Sequence, residues 1–156
     1  MGEPPFETVG RPVTRTDAPG KVTGEAPYTM DMFPADILHA KLVTSDEAHA
    51  RLLEVDTARA EELEGVVAVA TAADAPPSRL GEGVRDEPIF AAEKVRYVGE
   101  PVAIVAAETE ALAEKAVDLI DVTYDPLTPV TELAAAADTA PPAVLHEDLE
   151  SYSTGR

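Results

Sequence analysis

Three histidines, thirty carboxylates and no cysteine are the raw material for chemistry in this 156-residue chain. His39, His49 and His146 stand far apart in sequence. A metal site built on them would need a convergence that no spacing announces, so none is expected to be a ligand. The lack of cysteine excludes thiolate metal sites, cysteine-held iron–sulfur clusters, disulfides and a thiol nucleophile. Adjacent acids occur at Glu61–Glu62, Asp86–Glu87 and Glu147–Asp148. A working acid pair needs converging geometry and displaced pKa values, and in a chain this acidic solvated charge is the plainer expectation. The segment "GEG" (81–83) is no phosphate loop, because it lies in a loop and lacks a third glycine at the right spacing. No G-x-S-x-G elbow occurs. One carboxylate poses a sharper question. In "EKVRYVGEPVAIVAAET" (93–109), Glu100 sits between Gly99 and Pro101 at the head of an apolar run. It is either a proton-transfer group or the polar end of a tight turn.

The elements that would have to position such groups come next. Residues 1–35 hold six prolines, which prevent a long helix, and "DAPGKVTGEAPYTMD" (17–31) reads as loop. "DILHAKLVTS" (36–45) alternates as a strand does, and "ARLLEVDT" (50–57) is a second strand candidate. The polar link between them predicts a hairpin. Thr57 opens a short helix that Gly65 ends, and "VVAVA" (66–70) reads as a buried strand, so the order hints at a crossover unit. Residues 75–92 form an irregular, Pro- and Gly-rich loop. "KVRYV" (94–98) alternates, and "VAIVAA" (102–107) is a buried strand with Pro101 tolerated at its start. The strongest helix is 109–121, capped by Thr109, with Leu112, Ala116, Leu119 and Ile120 as its apolar stripe. "DVTYDPL" (121–127) follows as a strand, which predicts a right-handed βαβ unit. A short alanine-rich helix (131–137) precedes a Pro-rich end that reads as a connector. The fold class expected is α+β, mixed strands with two main helices.

Charge limits the partners. Thirty acidic against twelve basic residues give −18, which repels nucleic acids and anionic membranes. Only four basic residues are lysine, the balance expected of a protein adapted to high salt. No apolar run approaches the ~18 residues of a membrane span, and the N-terminus does not read as a signal peptide. A cytoplasmic protein is expected.

In order, "VGRPVTRTDAPGKVTGEAPYTMDM" (9–32), "LHAKLVTSDEAHARLLEVDTARAEELEGVVAVATAADAP" (38–76) and "EKVRYVGEPVAIVAAETEALAEKAVDLIDVTYDPLTPV" (93–130) resemble the α/β hammerhead domain that opens the molybdenum-binding large subunit of the xanthine dehydrogenase / aldehyde oxidase family, the molybdenum hydroxylases. The sequence departs from the family at 44–51, where Arg-Ser-Pro-His-Ala-His-Ala-Arg is replaced by Thr44, Ser45, Asp46, Glu47, Ala48, His49, Ala50 and Arg51, and the loop at 75–92 is short. The resemblance implies an extended arm at 1–35, a hammerhead domain at 36–137 and a connector at 138–156. It implies a part of an oxidoreductase complex that hydroxylates aldehydes or N-heterocycles, with a structural and docking role for this chain. Molybdopterin would lie on a partner domain or subunit, with iron–sulfur clusters and FAD elsewhere in the complex. No catalytic, cofactor-binding or metal residue is expected here, and self-association stays open. Arg15, Lys21, Tyr28, His39 and His49 are the candidate interface residues. Glu100 then reads as a solvated turn acid, with Gly99 supplying backbone freedom. The alternative is a stand-alone interaction module with the same fold and no redox partner.

Overall fold

The computed structural model describes residues 9–10, 12–137 and 142–147. The chain divides into two units, residues 1–37 and 38–156. Residues 1–8 and 11 of the expected arm, and 138–141 and 148–156 of the expected connector, lie outside the described residues.

The first unit is not all loop. Helix α1 spans Ala18–Thr23 in the middle of the expected loop. A proline in the first helical turn gives up no needed hydrogen bond, so Pro19 starts this helix rather than breaking it. Asp17 draws in both Arg15 (2.8 Å) and Lys21 (2.7 Å), and the Thr23 hydroxyl donates back to the Pro19 carbonyl. A 3-10 turn follows at Thr29–Asp31, where the Asp31 carboxylate accepts from the Tyr28 N–H (2.9 Å). Neither element buries a residue.

The second unit holds two three-stranded sheets. Its elements are β1 (His39–Thr44), β2 (Ala50–Asp56), α2 (Ala58–Glu61), β3 (Val66–Thr71), β4 (Arg79–Leu80), β5 (Glu87–Pro88), β6 (Lys94–Val95), β7 (Pro101–Ala107), α3 (Glu110–Val117), β8 (Asp121–Pro126) and α4 (Leu133–Ala136). One sheet runs β1–β7–β3 and the other β6–β2–β8, with β4–β5 a small pair inside the 75–92 loop. All these pairings are antiparallel.

That topology corrects three expectations. β1 and β2 do not form a hairpin. Beyond β1, the Ser45 N–H donates to the Glu100 carbonyl (2.9 Å) and the Ser45 carbonyl accepts from Gly99 N–H (2.7 Å). The link at 45–49 is thereby committed to the turn before β7, and β2 pairs with β6 and β8 instead. The two strand–helix–strand runs are not crossover units either. β2–α2–β3 and β7–α3–β8 each carry the chain from one sheet to the other, so their strands never become parallel neighbours. Finally, β3 is an edge strand with Val67 56% exposed, not a buried one.

β7 is the central strand of its sheet, with Val102, Ala103, Val105 and Ala107 wholly buried. Ala103 and Val105 meet α3 through Ala116 and Ile120; Val102, on the other face, packs with Ala50, Ala91 and Val95. Ala113 and Ala116 of α3 are buried, as is Ile120 just beyond it, with Leu112 and Leu119 partly buried. Ala116, Leu119 and Ile120 of the expected stripe face the core, joined by Ala113, and the chain tightens into i→i−3 bonds at Leu119 and Ile120. Thr109 caps the helix as expected, its hydroxyl accepting from Leu112 N–H (3.2 Å). Gly65, at φ +92°, brings β3 close under α3, where an added Cβ would lie 2.6 Å from Leu112 Cδ1.

Candidate functional site

The stretch 93–101 leads the chain from one sheet into the other. β6 ends at Val95, Gly99 turns the backbone at φ +95°, and Pro101 begins β7. A left-handed φ of this kind suits glycine, as expected. The turn places Glu100 inward rather than outward. Its residue is 3% exposed, and its carboxylate accepts from the Arg96 backbone N–H and from the Arg96 guanidinium (2.9 Å). Glu100 is therefore not a solvated turn acid. A buried carboxylate must be paired, and the four-residue spacing across the Gly99 turn lets one arginine supply both donors.

Arg96 reaches further. Its NH1 also donates to the Lys94 carbonyl (3.1 Å) and its Nε to the Leu145 carbonyl (3.3 Å). Lys94, with 10% of its side chain exposed, donates from Nζ to the Val144 carbonyl (3.2 Å) and to Glu147 (2.7 Å). The ion pair with Lys94 holds the Glu147 carboxyl below its ordinary pKa. Residues 142–147 are thus strapped along β6 by two largely buried cations. A cavity of about 360 Å³ opens beside them, lined by Asp86, Glu87, Arg96, Tyr97, Glu100 and His146 among others. Burial, with Glu100 and Glu87 nearby, raises the Tyr97 pKa.

The histidines stay apart. His39 pairs with Ala107 at the start of β1 and is half-buried. His49 is 4% exposed, and its Nδ1 lies 2.7 Å from the Thr128 carbonyl, which pins the segment after β8. Its Nε2 is buried without a hydrogen-bond partner among the described residues. His146 is half-buried at the cavity. Among the described residues no group of three His, Cys, Asp or Glu side chains is placed to hold a metal. Of the other candidate interface residues, Arg15 and Lys21 share Asp17, and Tyr28 is 55% exposed. The adjacent acids divide. Glu61 and Glu62 are exposed; Asp86 and Glu87 border the cavity; Asp148 lies outside the described residues.

The hydrogen bonds of this cluster tie the turn, β6 and residues 144–147 together. Arg96, Lys94 and Glu100 direct their bonds to one another, to Glu147 and to backbone groups, and Arg96 and Glu100 also line the cavity. Reading the residues in isolation missed this cluster. The alternation Lys94–Val95–Arg96 and the arginine–glutamate spacing across a glycine were its only signals.

Residues 23–128 match the family described as "Aldehyde oxidase and xanthine dehydrogenase, a/b hammerhead domain". The chain is 42% identical to a probable xanthine dehydrogenase subunit of Bacillus subtilis (strain 168) over 114 residues, 72% of this chain and 15% of that protein. It is 37% identical to the xanthine dehydrogenase molybdenum-binding subunit of Escherichia coli O157:H7, covering 81% of this chain and 19% of that one. Among solved structures, a Cu,Mo-CO dehydrogenase in its carbon monoxide reduced state superposes with a TM-score of 0.82 at 31% identity, over 94% of this chain and 19% of that one. The chain spans less than a fifth of the length of each of these relatives.

Proposed function

From the premise that the chain belongs to the aldehyde oxidase and xanthine dehydrogenase family, as its hammerhead domain, we propose that it is the structural and docking domain of a molybdenum hydroxylase in the cytoplasm. The assembled enzyme hydroxylates an aldehyde or an N-heterocycle. The molybdopterin site lies on another domain or subunit, and iron–sulfur clusters and FAD lie elsewhere in the complex.

The residues present do not fit these groups. The chain has no cysteine to hold an iron–sulfur cluster. Asp86, Glu87 and Glu100 line the cavity at the strap, and carboxylates repel the phosphate that a pterin cofactor carries. No step of the reaction is therefore routed through this chain. Within it, residues 1–35 act as an arm offering Arg15, Lys21 and Tyr28 to neighbouring domains, 36–137 form the hammerhead, and 138–156 connect onward.

One observation carries this reading: the most buried charges described in the second unit hold its own backbone in place, as in a support whose reactive partner is elsewhere. The test is metal analysis and turnover on two samples, the purified 156-residue chain and the chain recovered from its native host. The chain alone is expected to oxidise neither aldehydes nor purines and to retain no molybdenum. The recovered sample is expected to carry molybdenum. Turnover by the chain alone would overturn the proposal, and a molybdenum-free, self-contained oligomer from the host would favour a stand-alone interaction module.

A further inference from the structure

Strand alternation puts the odd-numbered residues of β1 on the α3 side, where Lys41 meets Glu110 (2.8 Å) and Glu114 (3.1 Å). The even-numbered residues point the other way. The register then sets Leu42, Ile104 and Ala70 in one row across the sheet, and Ala40, Ala106 and Ala68 in the next. None of the six carries a charge, in a chain of which 27% is charged. They are not core. Leu42 is 49% exposed, Ala40 and Ala68 are exposed, and Ile104, Ala106 and Ala70 are only partly covered. Leu38, in phase with Ala40 and Leu42, extends the face and is 44% exposed. The β3 edge beside it, Val66–Thr71, bears none of the lysines or prolines that usually blunt an open strand.

We propose that this outer face of the β1–β7–β3 sheet is where the molybdenum-binding part of the enzyme docks, presenting an uncharged apolar surface of its own. The inference rests on the functional reading above and adds the place of contact. Two quantities argue against a second copy as the occupant. Three strands about 4.8 Å apart and six residues long make a face of roughly 300 Å². Two copies would then bury roughly 600 Å² in all, against the ~1,200–2,000 Å² of stable complexes. Each copy would also bring a net charge of −18 to the other. A larger partner escapes both limits, because it can cover this face and continue onto neighbouring surface. In the relatives, more than four-fifths of the polypeptide lies outside the part this chain matches.

The experiment is molybdenum per chain, by elemental analysis of the tagged full chain purified from its native host. Leu42→Asp and Ala68→Glu place charge on the face; Lys115→Ala, on the exposed side of α3, is the control. Both face variants are expected to lose at least tenfold of the molybdenum at an unchanged melting temperature, and the control none. Face variants that fold and keep molybdenum within twofold of the unaltered chain would overturn the docking face alone. An unaltered chain without molybdenum would overturn the functional reading and the inference with it. Should Leu42→Asp unfold, Ala68→Glu decides, since Ala68 is exposed; unfolding of both would show the face to be core and overturn the inference. Light scattering closes the remaining route: a dimer of the purified chain that Leu42→Asp dissociates would assign the face to a second copy and overturn the proposal.

Discussion

Replacing Glu100 with alanine removes the carboxylate that pairs with Arg96, whose side chain is 14% exposed. Two acceptor bonds go with it, one from the Arg96 N–H and one from the guanidinium. Breaking a buried ion pair from one side costs about 3–5 kcal/mol, because the remaining charge stays out of water. Arg96 keeps the Lys94 and Leu145 carbonyls, which places the expected loss nearer ~3 kcal/mol. For a chain of this length each kcal/mol lowers the midpoint by roughly 2–4 °C, so Glu100→Ala should melt about 10 °C early. Glu100→Gln keeps an acceptor and loses the charge, and should cost about half as much. The double variant Arg96→Met/Glu100→Met removes both charges and should recover most of the loss. Urea unfolding with linear extrapolation measures all three. A solvated turn acid would give changes within ~0.5 kcal/mol. A result in that range for Glu100→Ala would refute the buried-pair reasoning, as would a double variant no more stable than the single one.

The Glu147 carboxyl is held below its ordinary value by Lys94, so its contribution to the strap is present above the unfolded value of 4.5 and is lost as pH falls through the depressed folded value. A carbon-detected NMR titration should place Glu147 below 4.5, with Val144 and Leu145 amide shifts following it; a value at or above 4.5 would count against the strap. The net charge of −18 predicts that the urea midpoint rises as KCl goes from about 0.1 to 1 M, over which the screening length shrinks from ~10 to ~3 Å. An unchanged midpoint would argue against adaptation to salt. Gly65→Ala meets both a left-handed φ and Leu112 at 2.6 Å, whereas Gly99→Ala meets a left-handed φ with nothing within 4 Å. The first should therefore cost about 2–4 kcal/mol and the second about 1–2. Matched urea melts in the reverse order would refute that account.

What the sequence made legible was local. The runs around 39–44, 50–56, 66–71, 101–107 and 121–126 are strands, and Thr109 caps α3, because alternation and capping act over a few residues. Pairing is not local. The "SDEAHA" link looks like hairpin material, yet the bonds of Ser45 go to Gly99 and Glu100, more than fifty residues on. Only the folded chain shows that β7 lies between β1 and β3, and hence that each helix changes sheets. Glu100 follows the same rule. Residue type and turn position favour exposure, whereas its burial comes from an arginine four residues back that a strap near residue 145 also holds.

The make-up of the core accords with the proposed docking role. Among the described residues twelve apolar ones are buried, seven of them alanine, and the largest wholly buried side chains are Val95, Val102, Val105 and Ser45. Apolar stabilisation scales with area removed from water, so a core of alanine and valine is a weak one. Meanwhile Leu42, Leu53 and Val67 remain about half exposed or more. A thin core can still hold a defined shape if polar groups fix its turns, and Arg96–Glu100, Lys94 and the Thr128 carbonyl on His49 do that here. Such groups add little net stability but penalise every arrangement that leaves them unpaired. In the proposed docking, a neighbouring domain removes part of the remaining apolar surface from water. Shape is set within the chain, and the proposed docking would add stabilisation that the thin core does not supply.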